Sequence, residues 1–190
     1  GVTVRLGYRP PLDVGALLTF LAQRGIAGQS WAQPPDRMAG QTLRLVAGTR
    51  VHTGWLTARF DPVEPGVWLT VGESLCDALP LVIARVRAWL DLDADPAVID
   101  ACLSSPLDGG GAASQGALAG LRVPGCLDGF ELAVRAILGQ QVTVAAGRTL
   151  AERLVERFGE PMGTPVPGLD RLFPTPDVLA LADGDALGQL

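Results

Sequence analysis

The chain has 190 residues, 48% of them hydrophobic and 18% charged, with a net charge of −5 at neutral pH. That balance gives a globular protein with a real core, in one domain or two small ones, and excludes a disordered chain. A pI near 4.8 excludes a strong nonspecific nucleic-acid binder, so any DNA footprint has to be a local patch. Residues 121–160 are the least acidic stretch, with 5 Arg against 5 acids, whereas 161–190 carry 1 against 4.

Cys76, Cys102 and Cys126 are widely spaced, form no C-x-x-C, and with the single His52 make no metal-ligand set. They read as small buried hydrophobes in a reduced, cytoplasmic setting. Neither a signal peptide nor a membrane-length apolar run is visible.

In chain order, "VTVRLGY" alternates as a strand does, and so do "QTLRLV", "GWLTARF" and "VWLTV". The last three are spaced as an antiparallel meander. Between the first two strands, "PPLDVGALLTFLAQRG" predicts a helix with Asp13 as N-cap, Gly25 as a left-handed stop, and Leu17, Phe20 and Leu21 on its apolar face. A second helix runs through "SLCDALPLVIARVRAWLDL", started either by a Ser74–Asp77 capping box or by Pro80 in the first turn. Its stripe is Leu79, Val82, Ile83, Val86 and Leu90. The stretch Ser104–Gly120 is rich in Gly, Ser and Ala and reads as a surface connection.

Beyond it the pattern turns helical. "LDGFELAVRAILG" opens on Asp128 and Glu131 as a D-x-x-E cap and is expected to bury Phe130, Val134 and Ile137. "TVAAGRTLAERLVERFG" follows, with Val144, Gly147, Ala151, Leu154 and Phe158 spaced as a packing seam, and Arg148 and Glu152 paired one turn apart. The Phe130 stripe covers one side of that seam, so residues 121–190 are expected to lack part of their cover. The joint between these helices is "GQQ". A helix–helix turn needs a residue tolerant of unusual backbone angles, and Gly139 meets that need. Gln140 and Gln141 therefore have either a solvent role or a separate task.

"LRVPGCLDGFELAVRAILGQQVTVAAGRTLAERLVERFGEP", with "FPTPDVLALAD" after it, closely resembles the central part of the AlkA branch of DNA-3-methyladenine glycosylases. These belong to the helix-hairpin-helix superfamily. "YRPPLDVGALLTFLAQRGIAG" is similar to the opening helix of the same family's N-terminal sheet domain. The resemblance implies an α+β N-terminal domain over 1–120, with an antiparallel sheet and two helices, followed over 121–190 by the first part of an all-helical glycosylase domain. It implies hydrolysis of the N-glycosidic bond of alkylated purines in double-stranded DNA by base flipping, with no metal and no cofactor. It also leaves room for an Ada-type methyltransferase fused upstream.

The resemblance gives the glutamines a role. Gln141 matches the wedge that fills the stack once a base is flipped, and Gln140 lies beside it near the lesion pocket. Two solvated loop glutamines are the alternative. Phe20 matches an aromatic that meets cationic, alkylated bases, although its spacing equally suits the core of the first helix. Trp31, Trp55, Trp68 and Trp89 match no pocket position and read as core or edge residues.

A hairpin loop of P-G-h-G type holds a phosphate on backbone N–H groups. "VPGLD" at Val166–Asp170 and "VPGCLDG" at Val123–Gly129 begin in that way and lack the second glycine. Asp170, Asp177, Asp183 and Asp185 read as caps or loop residues. The family's hairpin and catalytic Asp therefore have no counterpart in the sequence, and no residue is assigned to catalysis. The chain alone is expected to be inactive. The rival is a non-catalytic DNA-binding or regulatory module; the 8-oxoguanine branch fits the front half less well.

Overall fold

The computed structural model describes residues 1–103, 119–184 and Gly188. Most of the expected Ser104–Gly120 connection, and Asp185, lie outside the described residues.

Five strands form one antiparallel sheet in the order β1-β5-β4-β3-β2. They are β1 (Val2–Gly7), β2 (Ser30–Gln33), β3 (Met38–Ala47), β4 (Arg50–Phe60) and β5 (Gly66–Val71). Period-two burial explains β4: Gly54, Leu56, Ala58 and Phe60 face inward while the residues between them do not. Against that face lie α1 (Val14–Gln23) and α2 (Leu79–Trp89). Leu17 and Leu18 of the first helix, and Val82 and Val86 of the second, are buried with Leu69 and Val71. Each such side chain contributes about 2 kcal/mol of apolar burial. The tight β4–β5 turn is held by Asp61, whose carboxylate accepts the Val63 and Glu64 N–H groups and the Trp68 indole. Those bonds, the Glu64 N–H foremost, bring its pKa down to about 2.

Asp13 caps α1 as expected, accepting from the Ala16 N–H at 2.8 Å. Its other end differs. Arg24 is the C-cap with φ −115°, and Gly25 is needed for close approach, since a Cβ there would sit 3.0 Å from the Ser30 carbonyl. For α2, Pro80 lies in the first turn, and the Ser74 hydroxyl goes to the Thr53 carbonyl instead of capping the helix. A 3-10 turn, Glu73–Ala78, fills the space that the capping box was expected to occupy. Within residues 1–103, β2 and the helix α3 (Pro96–Leu103) were not expected from the sequence.

The helical part comprises α4 (Gly129–Leu138), α5 (Val144–Phe158) and α6 (Pro176–Ala180). A short ribbon, β6 (Glu160–Pro161) with β7 (Arg171–Leu172), follows α5. That ribbon ties α5 to the sheet. The Asp170 and Arg171 N–H groups both donate to the Gly28 carbonyl, at 2.7 and 2.9 Å. The Thr42 hydroxyl donates to the Arg171 carbonyl at 2.6 Å. "VPGLD" is thus a docking turn, with Gly168 at φ +76°.

Ala151, Leu154 and Val155 of α5 are buried, with Ile26, Leu138 and Phe173 packed around Ala151 and Val155. The sheet side supplies cover that was not expected from it. Elsewhere the expected burial fails: Ile137 is 66% exposed and Val144 54%. Gly147 is the seam's point of close approach, where a Cβ would come within 3.3 Å of the Gly139 Cα. The cysteines are not core residues, since Cys102 is exposed and the other two are half-buried.

Candidate base pocket and DNA-facing joint

A cavity of about 370 Å³ opens between α1, the sheet edge and α4–α5. Its walls include Phe20, Arg24, Trp31, Gln41, Trp89 and Glu131. Phe20 is 38% exposed, so it belongs to this wall and not to the core of α1. Trp31 and Trp89 were expected to be core or edge residues only, and both line the cavity as well. Trp31 packs against Gly40, where a Cβ would meet its ring at 2.7 Å.

Glu131 was read as a helix cap and is the anchor of the site. Asp128 does the capping, accepting from the Phe130 and Glu131 N–H groups at 2.7 and 3.1 Å. Glu131 is freed to point at the sheet and is only 6% exposed. Its Oε2 accepts the side-chain amides of Gln29 at 2.9 Å and Gln41 at 3.2 Å. Its Oε1 accepts from Arg135 at 2.9 Å. Burial raises the Glu131 pKa, the Arg135 charge opposes that rise, and the nearby Asp128 carboxylate adds to it. Arg135 in turn donates to the Arg24 carbonyl, which closes a link from α4 to the C-terminus of α1.

The joint lies beside the cavity. Gly139, Val142 and Thr143 are wall residues, whereas Gln140 and Gln141 stand outside the lining and are exposed. Of the expected pocket pair, Phe20 and Gln140, the structure brings Phe20 alone into the wall. The turn is also built differently from the expectation. Gly139 is an ordinary C-cap at φ −85°, and Gln141 carries the left-handed conformation at φ +60°. Thr143 then restarts the chain as N-cap of α5, its hydroxyl accepting from the Ala146 N–H at 3.1 Å. A non-glycine residue held there costs of order 1 kcal/mol, and such strain concentrates at working sites. Gln141→Gly is therefore expected to raise stability by about 0.5 kcal/mol in thermal melts, after allowing for the looser unfolded chain. A lower melting temperature would contradict the strain.

No three His, Cys, Asp or Glu side chains among the described residues gather as metal ligands do. No helix among them is long and apolar enough to cross a membrane.

The profile of the AlkA N-terminal domain matches residues 3–128. The chain belongs to that family. AlkA resemblance extends beyond the matched residues: "DNA-3-methyladenine glycosylase 2" of Escherichia coli (strain K12) is 31% identical over 185 residues, spanning 97% of this chain and 60% of that protein. "Probable bifunctional transcriptional activator/DNA repair enzyme AlkA" of Mycobacterium tuberculosis (strain ATCC 25618 / H37Rv) is 35% identical over 182 residues, 96% of this chain and 35% of that one. The chain thus spans 60% of the first relative's length and 35% of the second's. Among solved structures, a 3-methyladenine DNA-glycosylase from Archaeoglobus fulgidus superposes with a TM-score of 0.69 at 18% identity, over 98% of this chain and 60% of that one. The Clostridium acetobutylicum 8-oxoguanine glycosylase/lyase gives 0.61 at 16%, over 100% and 58%. Both share the α+β fold with helices.

Proposed function

We propose that this chain is the base-receiving and DNA-wedging portion of a cytoplasmic DNA repair glycosylase acting on alkylated purines of the 3-methyladenine type. In this reading 1–120 supply the pocket's sheet-side wall and 121–190 the DNA-facing helices. One observation carries it: an aromatic-walled cavity lies beside an exposed, strained helix–helix joint whose tip is Gln141. A flipped base needs a pocket, and the stack it leaves needs a filler; the two features are adjacent here. The Escherichia coli relative, named DNA-3-methyladenine glycosylase 2, supports the substrate class. The mycobacterial relative, named as a bifunctional transcriptional activator/DNA repair enzyme, supports a second activity joined to this one, for which an upstream Ada-type module is our reading.

The division of labour follows from the side chains. Phe20 offers a π face, Gln141 an amide that reaches into the duplex, and Gln140 a neighbouring polar contact to the strand. The acids near the cavity are already committed, Asp128 to the α4 cap and Glu131 to its anchor, so no carboxylate here is assigned to catalysis. That same commitment favours a second reading, a DNA-binding module without its own chemistry.

Binding tests the shared part. Fluorescence anisotropy with a short duplex carrying an abasic-site analogue should show tighter binding than with the intact duplex, by about fivefold, as roughly 1 kcal/mol of stacking contact gives. Gln141→Ala should erase that preference while changing stability by less than about 0.5 kcal/mol, as for other surface substitutions. Equal affinity for both duplexes in the wild type would overturn the proposal.

A further inference from the structure

The Phe20 ring is an aromatic surface that the cavity offers to a planar ligand, and it is already covered. The Arg24 guanidinium carbon stands 3.7 Å from the ring centroid. Nη1 of the same side chain donates to the Phe20 carbonyl at 3.3 Å. A base placed between ring and guanidinium needs two contact distances, about 7 Å. The gap is about half that, so a ligand reaches this face by displacing Arg24.

The backbone of Arg24 is fixed. Its N–H donates to the Leu21 carbonyl at 3.1 Å, and its carbonyl accepts from Arg135, which is tied to buried Glu131. The side chain has one long hydrogen bond and the ring contact. The other cations of the cavity wall are neutralised, Arg135 by Glu131 and Arg148 by Glu152. Among the described residues no carboxylate lies within ion-pair distance of Arg24, which leaves it as the uncompensated charge of the wall.

We propose that Arg24 is a displaceable cap on Phe20 that sets the pocket's choice between cationic and neutral planar bases. This rests on the reading that the cavity receives a base. A cationic base gains the ring face and meets the displaced guanidinium nearby, in a half-enclosed site where like charges repel more than in water. A neutral base with a carbonyl takes the same face without repulsion and accepts a hydrogen bond from the guanidinium. Arg24 therefore shifts the pocket toward neutral lesions, and its loss shifts it toward cationic ones.

The test titrates the 190-residue chain and follows the fluorescence of Trp31 and Trp89 in the cavity wall. The probes are 7,9-dimethyladeninium, a fixed cation, and 9-methylhypoxanthine, neutral with a carbonyl. Arg24→Gln should raise the cation-to-neutral affinity ratio about fivefold, the size of a roughly 1 kcal/mol cation–π contact. Arg24→Lys, which keeps the charge, should hold the ratio near wild type. If Arg24→Gln does not fold, Arg24→Met takes its place and keeps the apolar stem. An unchanged ratio with both probes lost in Phe20→Ala overturns the cap and leaves the pocket standing. Binding of both probes untouched by Phe20→Ala overturns the pocket and the cap together.

Discussion

Glu131→Ala is expected to lower stability by about 3 kcal/mol at neutral pH, the largest loss among the substitutions considered. The substitution leaves three donors facing a void: the Gln29 and Gln41 amides and the Arg135 guanidinium. Removing one member of a buried charged network costs about 3–5 kcal/mol, and Arg135 keeps some solvent contact and its bond to Arg24, which puts the loss at the lower end. Glu131→Gln retains shape and part of the bonding, so it should cost less. It should also change the pH dependence. Burial holds the native Glu131 carboxyl above the ordinary glutamate range. Between the ordinary value and the raised one, the native protein keeps a proton that the unfolded chain has released. Stability from this group is therefore fully present below the ordinary glutamate pKa and falls as pH rises through that window. Urea melts across pH should show this slope in the wild type and lose it in Glu131→Gln. An equal slope in both proteins would mean that Glu131 is not the buried titrating group.

Gly28→Ala is the second large effect, at about 2 kcal/mol. Gly28 has φ +79°, which costs an L-residue roughly 1–2 kcal/mol. A Cβ there also lies 2.6 Å from the Asp170 carboxylate, forcing that side chain to turn away. The Gly28 carbonyl is the acceptor that holds the ribbon after α5 to the sheet, so the substitution acts on the docking of the helical part. Amide exchange at Asp170 and Arg171 should accelerate more than exchange within β3 and β4. Gly48→Ala is the control: its φ is +62° with nothing within 4 Å, so it measures backbone strain alone. Equal losses at the two glycines would remove the docking contact from the account.

Local signals were legible in the sequence and long-range partners were not. Asp13, Asp128 and the period-two alternation of β4 act on neighbours a few residues away, and the structure places them as the sequence implies. Glu131 shows the limit. A D-x-x-E pattern reads as a cap, and nothing local marks that its carboxylate turns toward Gln29 and Gln41, 102 and 90 residues earlier. Ile137 shows the converse: its helical spacing suits a buried stripe, yet periodicity does not say whether a neighbour covers that stripe. At the joint, residue preference pointed to Gly139 for the left-handed angle. Gly139 has an ordinary helical angle and lies against Gly147, whose missing side chain permits the approach, and Gln141 takes the left-handed angle. The cavity itself had partial signals in Phe20 and Gln140, of which Phe20 proves to be in the wall. Arg24 covers Phe20 from four residues away, a local contact; that the covered ring faces a cavity is the tertiary part.

The central claim is that the Gln141 tip enters a duplex from which a base is missing. It is tested most directly by 2-aminopurine placed opposite an abasic-site analogue, titrated with the wild-type chain and with Gln141→Ala. The account predicts a saturable change in 2-aminopurine fluorescence with the wild type, as the amide meets the orphaned base, and a much smaller change with the variant at equal occupancy. The same fluorescence change from both proteins would contradict it.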